Sequence, residues 1–482
     1  MKLFGWKKRC QQLEAENHQL RQRNAWLEEQ LRQCQARNRQ LTQSLAAAQK
    51  NSANSSKPPS SDIVKPPAQR WRPNCRRRRG GQKGHPKHDR AAFAPQDIDA
   101  RIEYRLRRCP VNPAHRVVPV AQPQYSVQQI ELVEHPFVVT EHTAYSLWCE
   151  DCRCYHPAPL PRHIVQAGLF GPRLTALVTY LKGRLHGSYS GIRDFLGEVV
   201  GVSVSRGYLA KLCHKASQAF AGPYGQLLAL LPRQSRLNCD ETGHKDNGHR
   251  FWTWCFRATH FVLFKIEASR GTEVLERVLG EEFQGILGCD YYAAYRKYAR
   301  PCSVLVQFCM AHLIRDVKFL CEFPEPSVQR YGKGLLAGLK ALFWTLHRRD
   351  QLSVRAFESE LAAAHDQIWR AALPGSGGPF HRLVWNMAER FYHHGEAYFQ
   401  FITTPGVEPT NNVAEQAMRF VVMDRHMTQG TRSARGRQFC ERLWTVMATC
   451  SLQHRSPFDW ICQALSASLK AEPVPSLLAD SS

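Results

Sequence analysis

Along the chain the spacing of apolar residues changes period several times. Leu13, Leu20, Leu27 and Leu41 recur at seven-residue spacing with Cys34 at the missing step, and Leu31 and Leu45 share the alternate seam with Asn17, Asn24 and Asn38. This predicts a coiled-coil zipper over 1–50, and polar Asn in the seam favours a weak, register-specific pairing, a dimer first of all. A single amphipathic helix packed on its own protein would carry the same leucines. Residues 51–100 have no apolar period and are rich in Ser, Pro, Gly and Arg, which predicts a disordered basic arm. Over 101–162 short β-like runs (VVPVA, YSVQQIELV, PFVVTEHTAY) alternate with cysteine-bearing segments. Over 163–230 the pattern turns helical. SYSGIRDFLGEVVG closes on Gly201 as a C-cap and the next helix opens on Ser205 as an N-cap, a pair that resembles a helix-turn-helix.

From residue 231 the order of elements carries more information. SRLNCD, RFWTWCFRAT and HFVLFKIEAS read as three strands, GTEVLERVLGEEF as a helix, and GILGCD as a fourth strand. YYAAYRKY adds a helix, and SVLVQFCMAH a fifth strand that runs into another. Within 231–322 this matches the start of a ribonuclease-H-like α/β domain. Asp240 lies on its first strand and Asp290 at the tip of the fourth, which should pair beside the first, so that two acids 50 positions apart face each other. Residues 323–404 read as a helical insertion. Residues 405–440 return to the catalytic domain, where PTNN opens a helix bearing Glu415 and, one turn later, Arg419 on the same face; 441–482 form a helical tail. The expected class is multidomain α+β.

Composition adds the partner. The 482 residues leave room for two to four domains of about 100–200 residues. Residues 1–108 hold 25 Lys/Arg against 9 Asp/Glu, two thirds of the formal net charge of +24. A polyanion is the natural partner, with a merely solvated basic surface as the bland alternative. Arg76, Arg77, Arg78 and Arg79, followed by two glycines and Lys83, suit a phosphate backbone or a minor groove without a fold of their own. No stretch reaches the roughly 20 apolar residues of a membrane span, and the N-terminus lacks a signal peptide's apolar run, so a cytoplasmic protein without membrane contact is expected. Seventeen cysteines, an odd number, argue against a disulfide framework. Cys109, His115, Cys149 and Cys152 form a ligand set of the structural Zn²⁺ type. Cys149-x-x-Cys152 has knuckle spacing, whereas Cys109 and His115 are not a paired motif and Cys154 competes.

Asp240, Asp290 and Glu415 are the donors that two Mg²⁺ or Mn²⁺ ions prefer, and two such ions promote phosphoryl transfer. Each acid has a rival reading. An Asp at a strand end is a common turn residue. Glu415 could close a capping box on Asn412 as N-cap. Glu241, next to Asp240, should face the other side of its strand. Arg419 is a candidate phosphate-binding group.

DETG (240–243), SRGTEVLERVLGEEFQGILGCDYYAAY (269–295), CMAHLIRD (309–316) and PTNNVAEQAMR (409–419), together with NSSKPPSSD, GGQKGH and the LFGPRLTALVTYLKGRLHGSYSG stretch, resemble the IS66-type transposases of bacterial insertion sequences. The resemblance implies a DNA transposase that cleaves and joins strands at the element's ends. Asp240, Asp290 and Glu415 would be its acidic triad and Cys309/His312 a Cys-x-x-His mark. It implies terminal inverted repeats and target DNA as partners, a homodimer or higher oligomer, and small accessory proteins of the same element. A nuclease of the same fold without strand transfer, and a non-catalytic DNA-binding regulator, are the other readings.

Overall fold

A computed structural model describes residues 2–48, 92–104, 106, 110–116, 118, 127–130, 132–133, 136–151, 153–373 and 381–478. The basic run at Arg76 to Arg79 and Lys83, and Cys109 and Cys152 of the zinc-type set, lie outside the described residues. The chain divides into two compact units, one of Met1–Pro66, Thr143–Phe195 and Ser203–Ser482, the other of Pro67–His142 and Leu196–Val202. No helix among the described residues is long and apolar enough to cross a membrane.

In the smaller unit a 3-10 turn spans Pro95–Asp97, and the Gln128 amide closes onto the Phe93 backbone through hydrogen bonds of 2.7 and 3.1 Å. The described residues of YSVQQIELV and PFVVTEHTAY form no strand. Most of their apolar side chains, Val127 and Val138 among them, stand in solvent, and a strand without an apolar face to bury has little to hold it.

The larger unit opens with α1 (Lys2–Ala48), a continuous helix on which Leu13, Leu20, Leu27, Leu31, Leu41 and Leu45 stay 46–61% exposed. The leucine seam is therefore not packed on its own chain. A hairpin of β1 (Ser146–Cys149) and β2 (Cys154–Pro157) follows. Then come α2 (Arg162–Ala167), α3 (Pro172–Arg184), α4 (Tyr189–Glu198), whose residues from Leu196 on belong to the smaller unit, α5 (Arg206–Ala219) and α6 (Ala221–Leu230). Ser205 caps α5 as its spacing predicts, its hydroxyl accepting from the Tyr208 N–H at 3.1 Å.

The centre of this unit is a five-stranded sheet in the order β5-β4-β3-β6-β7. It is built from β3 (Arg236–Asp246), β4 (His249–Arg257), β5 (Val262–Glu267), β6 (Ile286–Cys289) and β7 (Leu305–Phe308). The first three strands are antiparallel; β6 and β7 add in parallel through the crossover helices α7 (Thr272–Leu279) and α8 (Ala293–Cys302). Asn247-Gly248, both at positive φ (49° and 84°), make the tight β3–β4 turn. After β7 the chain forms α9 (Met310–Glu322), then α10 (Pro326–His347), α11 (Val354–Ala372), α12 (Arg382–His394) and the short α13 (Gln400–Thr403), so the stretch expected as an insertion is helical where described.

Helices α14 (Asn412–Thr428), α15 (Ala434–Leu452) and α16 (Pro457–Lys470) complete the unit. Ala414, Met418 and Val421 of α14 and Trp444 of α15 pack against Cys255, Val262, Phe264 and Ile266 of the sheet. The boundary expected at 440/441 falls inside α15, because that helix covers the open edge of β5 and does not stand apart as a tail.

Candidate active site

Parallel pairing of β3 with β6 matches Arg236 to Ile286, Leu237 to Leu287 and Asn238 to Gly288, a constant offset of 50. Carried two residues further, this register sets Asp240, inside β3, level with Asp290, the residue that follows β6. Gly288 makes room for the pairing: a Cβ there would run into the side-chain amide of Asn238. Asp290 is oriented by the Tyr292 N–H, which donates to its Oδ1 at 2.8 Å.

Alternate residues of β3 meet successive points along the 411–431 segment, the period-2 face of a strand laid against a helix. Asn238 donates to Asn411 Oδ1 (2.9 Å), Arg425 donates to Thr242 Oγ1 (3.1 Å), and His244 Nε2 lies 3.0 Å from Thr431 Oγ1. Asp240 stands on this same face, between the Asn411 and Arg425 contacts, and feels the charge of Glu415. Buried Asn411 is the anchor: its amide also donates to the Cys239 carbonyl (2.7 Å) and its N–H to Cys309 Sγ (3.2 Å). The N-cap is thus Asn411 and not Asn412, and no side chain caps α14. The capping-box role for Glu415 falls away. Its Oε1 is shielded from solvent and has no hydrogen-bond partner among the described residues.

Burial first, then the charges of Glu241, Asp290 and Glu415, hold the Asp240 carboxyl well above the ordinary carboxylate range. Asp290 is raised too, by burial, although the Tyr292 N–H, Arg270 and Arg390 partly offset this. Glu241 turns to the opposite face, as alternation requires. There Arg270 pairs with it at 2.6 Å and the Tyr295 hydroxyl donates to it, yet burial and Asp290 still push it to about 7. Several acids share a half-buried site in which Glu241 is tightly paired with Arg270 and Glu415 has only the more distant Arg315, 4.0 Å from its Oε1. Hard oxygen donors with uncompensated negative charge fit a divalent cation.

Among the described residues, the group of three metal-ligating side chains that could reach one ion is Cys309, His312 and Glu415, whose ligand atoms are all within 4.8 Å of one another. Asp240 and Asp290 do not belong to that cluster. His312 is held near 4 by burial and by Arg315, so its imidazole is neutral. Arg419 stands exposed, whereas Arg425 lines a 420 Å³ cleft with His244, Lys245, Arg250 and His426, a wall without acids. Sequence reasoning missed this cleft. Its signals were the Asn247-Gly248 turn, which carries β3 past the acids, and the position of Arg425 ten residues after Glu415.

The model of the Transposase IS66 family matches residues 167–439. The chain belongs to this family. The match contains the whole sheet, α14 and the three acids, and it is narrower than the resemblance read from the sequence. Residues 7–91, which hold the leucine repeat and the Arg76–Arg79 run, match instead a family of unknown function, DUF6444. Two similar proteins of Sinorhizobium fredii are uncharacterized: y4hP, 23% identical over 376 residues (70% of this chain, 67% of the relative), and y4qI, 22% identical over 345 residues (64% and 61%). Of the zinc-type set, His115 sits in an exposed turn of the smaller unit and Cys149 ends β1 in the larger. Cys154 is the register partner of Cys149 and places its Sγ 3.5 Å from His156 Nε2, a thiol–imidazole pair on the same hairpin.

Proposed function

We propose that this IS66-family protein is a transposase that cleaves and joins DNA strands at the ends of an insertion sequence, with Asp240, Asp290 and Glu415 as its acidic triad on a ribonuclease-H-like domain. The observation that carries the reading is the β3–β6 register that sets Asp240 beside Asp290, with Asn411 fastening the start of the Glu415 helix to the same strand. Asp240 and Asp290 would hold divalent cations of the Mg²⁺ or Mn²⁺ class and Glu415 would complete the donor set. Two such ions, when bound, activate the attacking water or 3′-hydroxyl and stabilise the leaving 3′-oxygen. Glu241 stays in its ion pair with Arg270 and keeps that arginine, which also lies over the Trp252 and Tyr292 rings, next to the acids. Lys245, Arg250 and Arg425 would grip a phosphodiester backbone in their cleft. In the same reading the basic arm holds DNA nonspecifically, α1 pairs with a second copy, and the cysteine-rich segment takes a structural Zn²⁺.

The test uses the full chain and labelled DNA carrying the element's terminal repeats. Asp240→Asn, Asp290→Asn and Glu415→Gln should each lower Mg²⁺-dependent cleavage by at least about a hundredfold while end binding is kept. Wild-type rates in any one variant remove that residue from the site. A wild-type chain that cuts but never joins ends to target would be a nuclease of the same fold.

A further inference from the structure

We propose that Cys309, His312 and Glu415 form a second cation site, selective for an ion of the Zn²⁺ class, whose occupation withdraws Glu415 from strand cleavage. The inference rests on the catalytic reading of Glu415 only in its second half; the site stands on its own geometry.

Cys309 precedes α9 and His312 lies in its first turn, so a three-residue spacing turns both toward one side. Glu415 lies in the first turn of α14. The two helix starts are tied together by the Met310 N–H, which donates to the Pro409 carbonyl at 2.9 Å, and by the Asn411 N–H on Cys309 Sγ. Nδ1 of His312 and Oε1 of Glu415 face each other at 3.7 Å. Both are shielded from solvent and neither has a hydrogen-bond partner among the described residues, an expensive arrangement for polar atoms. Their separation is too long for a hydrogen bond. Two ligands on one tetrahedral ion, with bonds of about 2.0–2.2 Å, stand roughly 3.3–3.5 Å apart, so a small closure serves both.

The donor set decides the metal. A thiolate, an imidazole and one carboxylate oxygen suit Zn²⁺ or Co²⁺ and not Mg²⁺, which keeps oxygen ligands. Thiolate and carboxylate together neutralise a divalent charge; burial raises the Cys309 thiol, and the Asn411 N–H on the sulfur partly offsets this. Binding releases the thiol proton to solvent. Three protein ligands leave one position for water.

The full-length chain, stripped with chelator, is titrated with Co²⁺ as a coloured stand-in for Zn²⁺, wild type beside Cys309→Ser. The variant should bind one ion fewer and lose a share of the thiolate-to-cobalt charge-transfer and tetrahedral absorption. The difference cancels any ion bound by the cysteine-rich segment. In Mg²⁺ cleavage assays, Zn²⁺ should inhibit the wild type at concentrations at least tenfold lower than those needed for Cys309→Ser. His312→Gln repeats both measurements, with circular dichroism confirming that each variant is folded. Equal cobalt stoichiometry and spectra in wild type and folded variants overturn the site; equal Zn²⁺ sensitivity overturns the competition for Glu415. Cobalt binding does not depend on cleavage. A Glu415→Gln chain that still cuts DNA therefore defeats the catalytic reading without touching the metal result.

Discussion

Asp240 holds its carboxyl where a negative charge is costly, with burial and three neighbouring acids raising it. An acid raised in the native state keeps its proton at a pH where the unfolded chain has released it. The native state therefore loses stability as pH climbs from the ordinary Asp value through the raised one. Asp240→Asn removes that cost. In chelator at pH 8 the variant should melt higher by about 1–2 °C, the shift of roughly 1 kcal/mol in a unit of about 400 residues. The gain should shrink as the pH falls toward the ordinary Asp range, because the wild-type carboxyl then takes up its proton. Mg²⁺ should raise the melting temperature of the wild type and leave the variant's almost unmoved. A variant that melts lower at pH 8 would mean that Asp240 is held by contacts stronger than the repulsion around it.

Helix α15 shows how an element supports the sheet that carries the site. The outward N–H groups of edge strand β5 are taken by side chains four residues apart: Ile266 donates to Glu441 Oε1 (2.7 Å), Phe264 to Thr445 Oγ1 (3.1 Å) and Val262 to Thr449 Oγ1 (3.1 Å). Four residues of helix advance about 6 Å and two residues of strand about 6.6 Å, so the two ladders stay in step and the edge is closed. Thr445→Val keeps the shape and leaves the Phe264 N–H buried without a partner. It should cost about 1–3 kcal/mol, read by denaturant midpoint, and a change under about 0.5 kcal/mol would mean that the edge is not sealed by hydrogen bonding.

Legibility divides along the same line. Strand periodicity, with Asp240 on the first strand and Asp290 just past the fourth, could be read directly, because local alternation and a chain order of three strands, helix and strand leave few pairings, and the observed sheet order follows; that β3 runs six residues beyond Asp240 could not. The route of Glu415 back to the sheet could not be read, because it depends on Asn411 bonding residues 173 and 172 positions earlier. Asn411 and Asn412 are indistinguishable in a string. The Cys309–His312–Glu415 cluster was hidden for the same reason, and Arg425 outranks Arg419 only once the cleft around it exists.

At the scale of the whole molecule, charge and helix length make separate demands. Deleting residues 57–88 removes the Arg76–Arg79 run and Lys83. If those groups sit on phosphates, the slope of log affinity against log salt should flatten by about 0.9 for each phosphate set free; an unchanged slope in a filter-binding or fluorescence series would place phosphate binding in the cleft alone. Helix α1 calls for a different test. Its 47 residues span about 70 Å, and six leucines on one stripe face solvent, an arrangement a lone helix has little means to stabilise. Pairing two such stripes buries them, with Asn17, Asn24 and Asn38 setting the register. Leu27→Pro breaks the stripe near its middle and costs each helix about 3 kcal/mol, and a dimer carries that cost twice. The wild-type chain should run as a dimer in light scattering at micromolar concentration, and the variant should dissociate at least about a hundredfold more readily. Because the sheet and its acids are built from residues far along the chain, the variant should keep the Mg²⁺-dependent rise in melting temperature. If the variant remains a dimer at the wild-type concentration, self-association belongs to another surface, and the exposed leucines await a different partner.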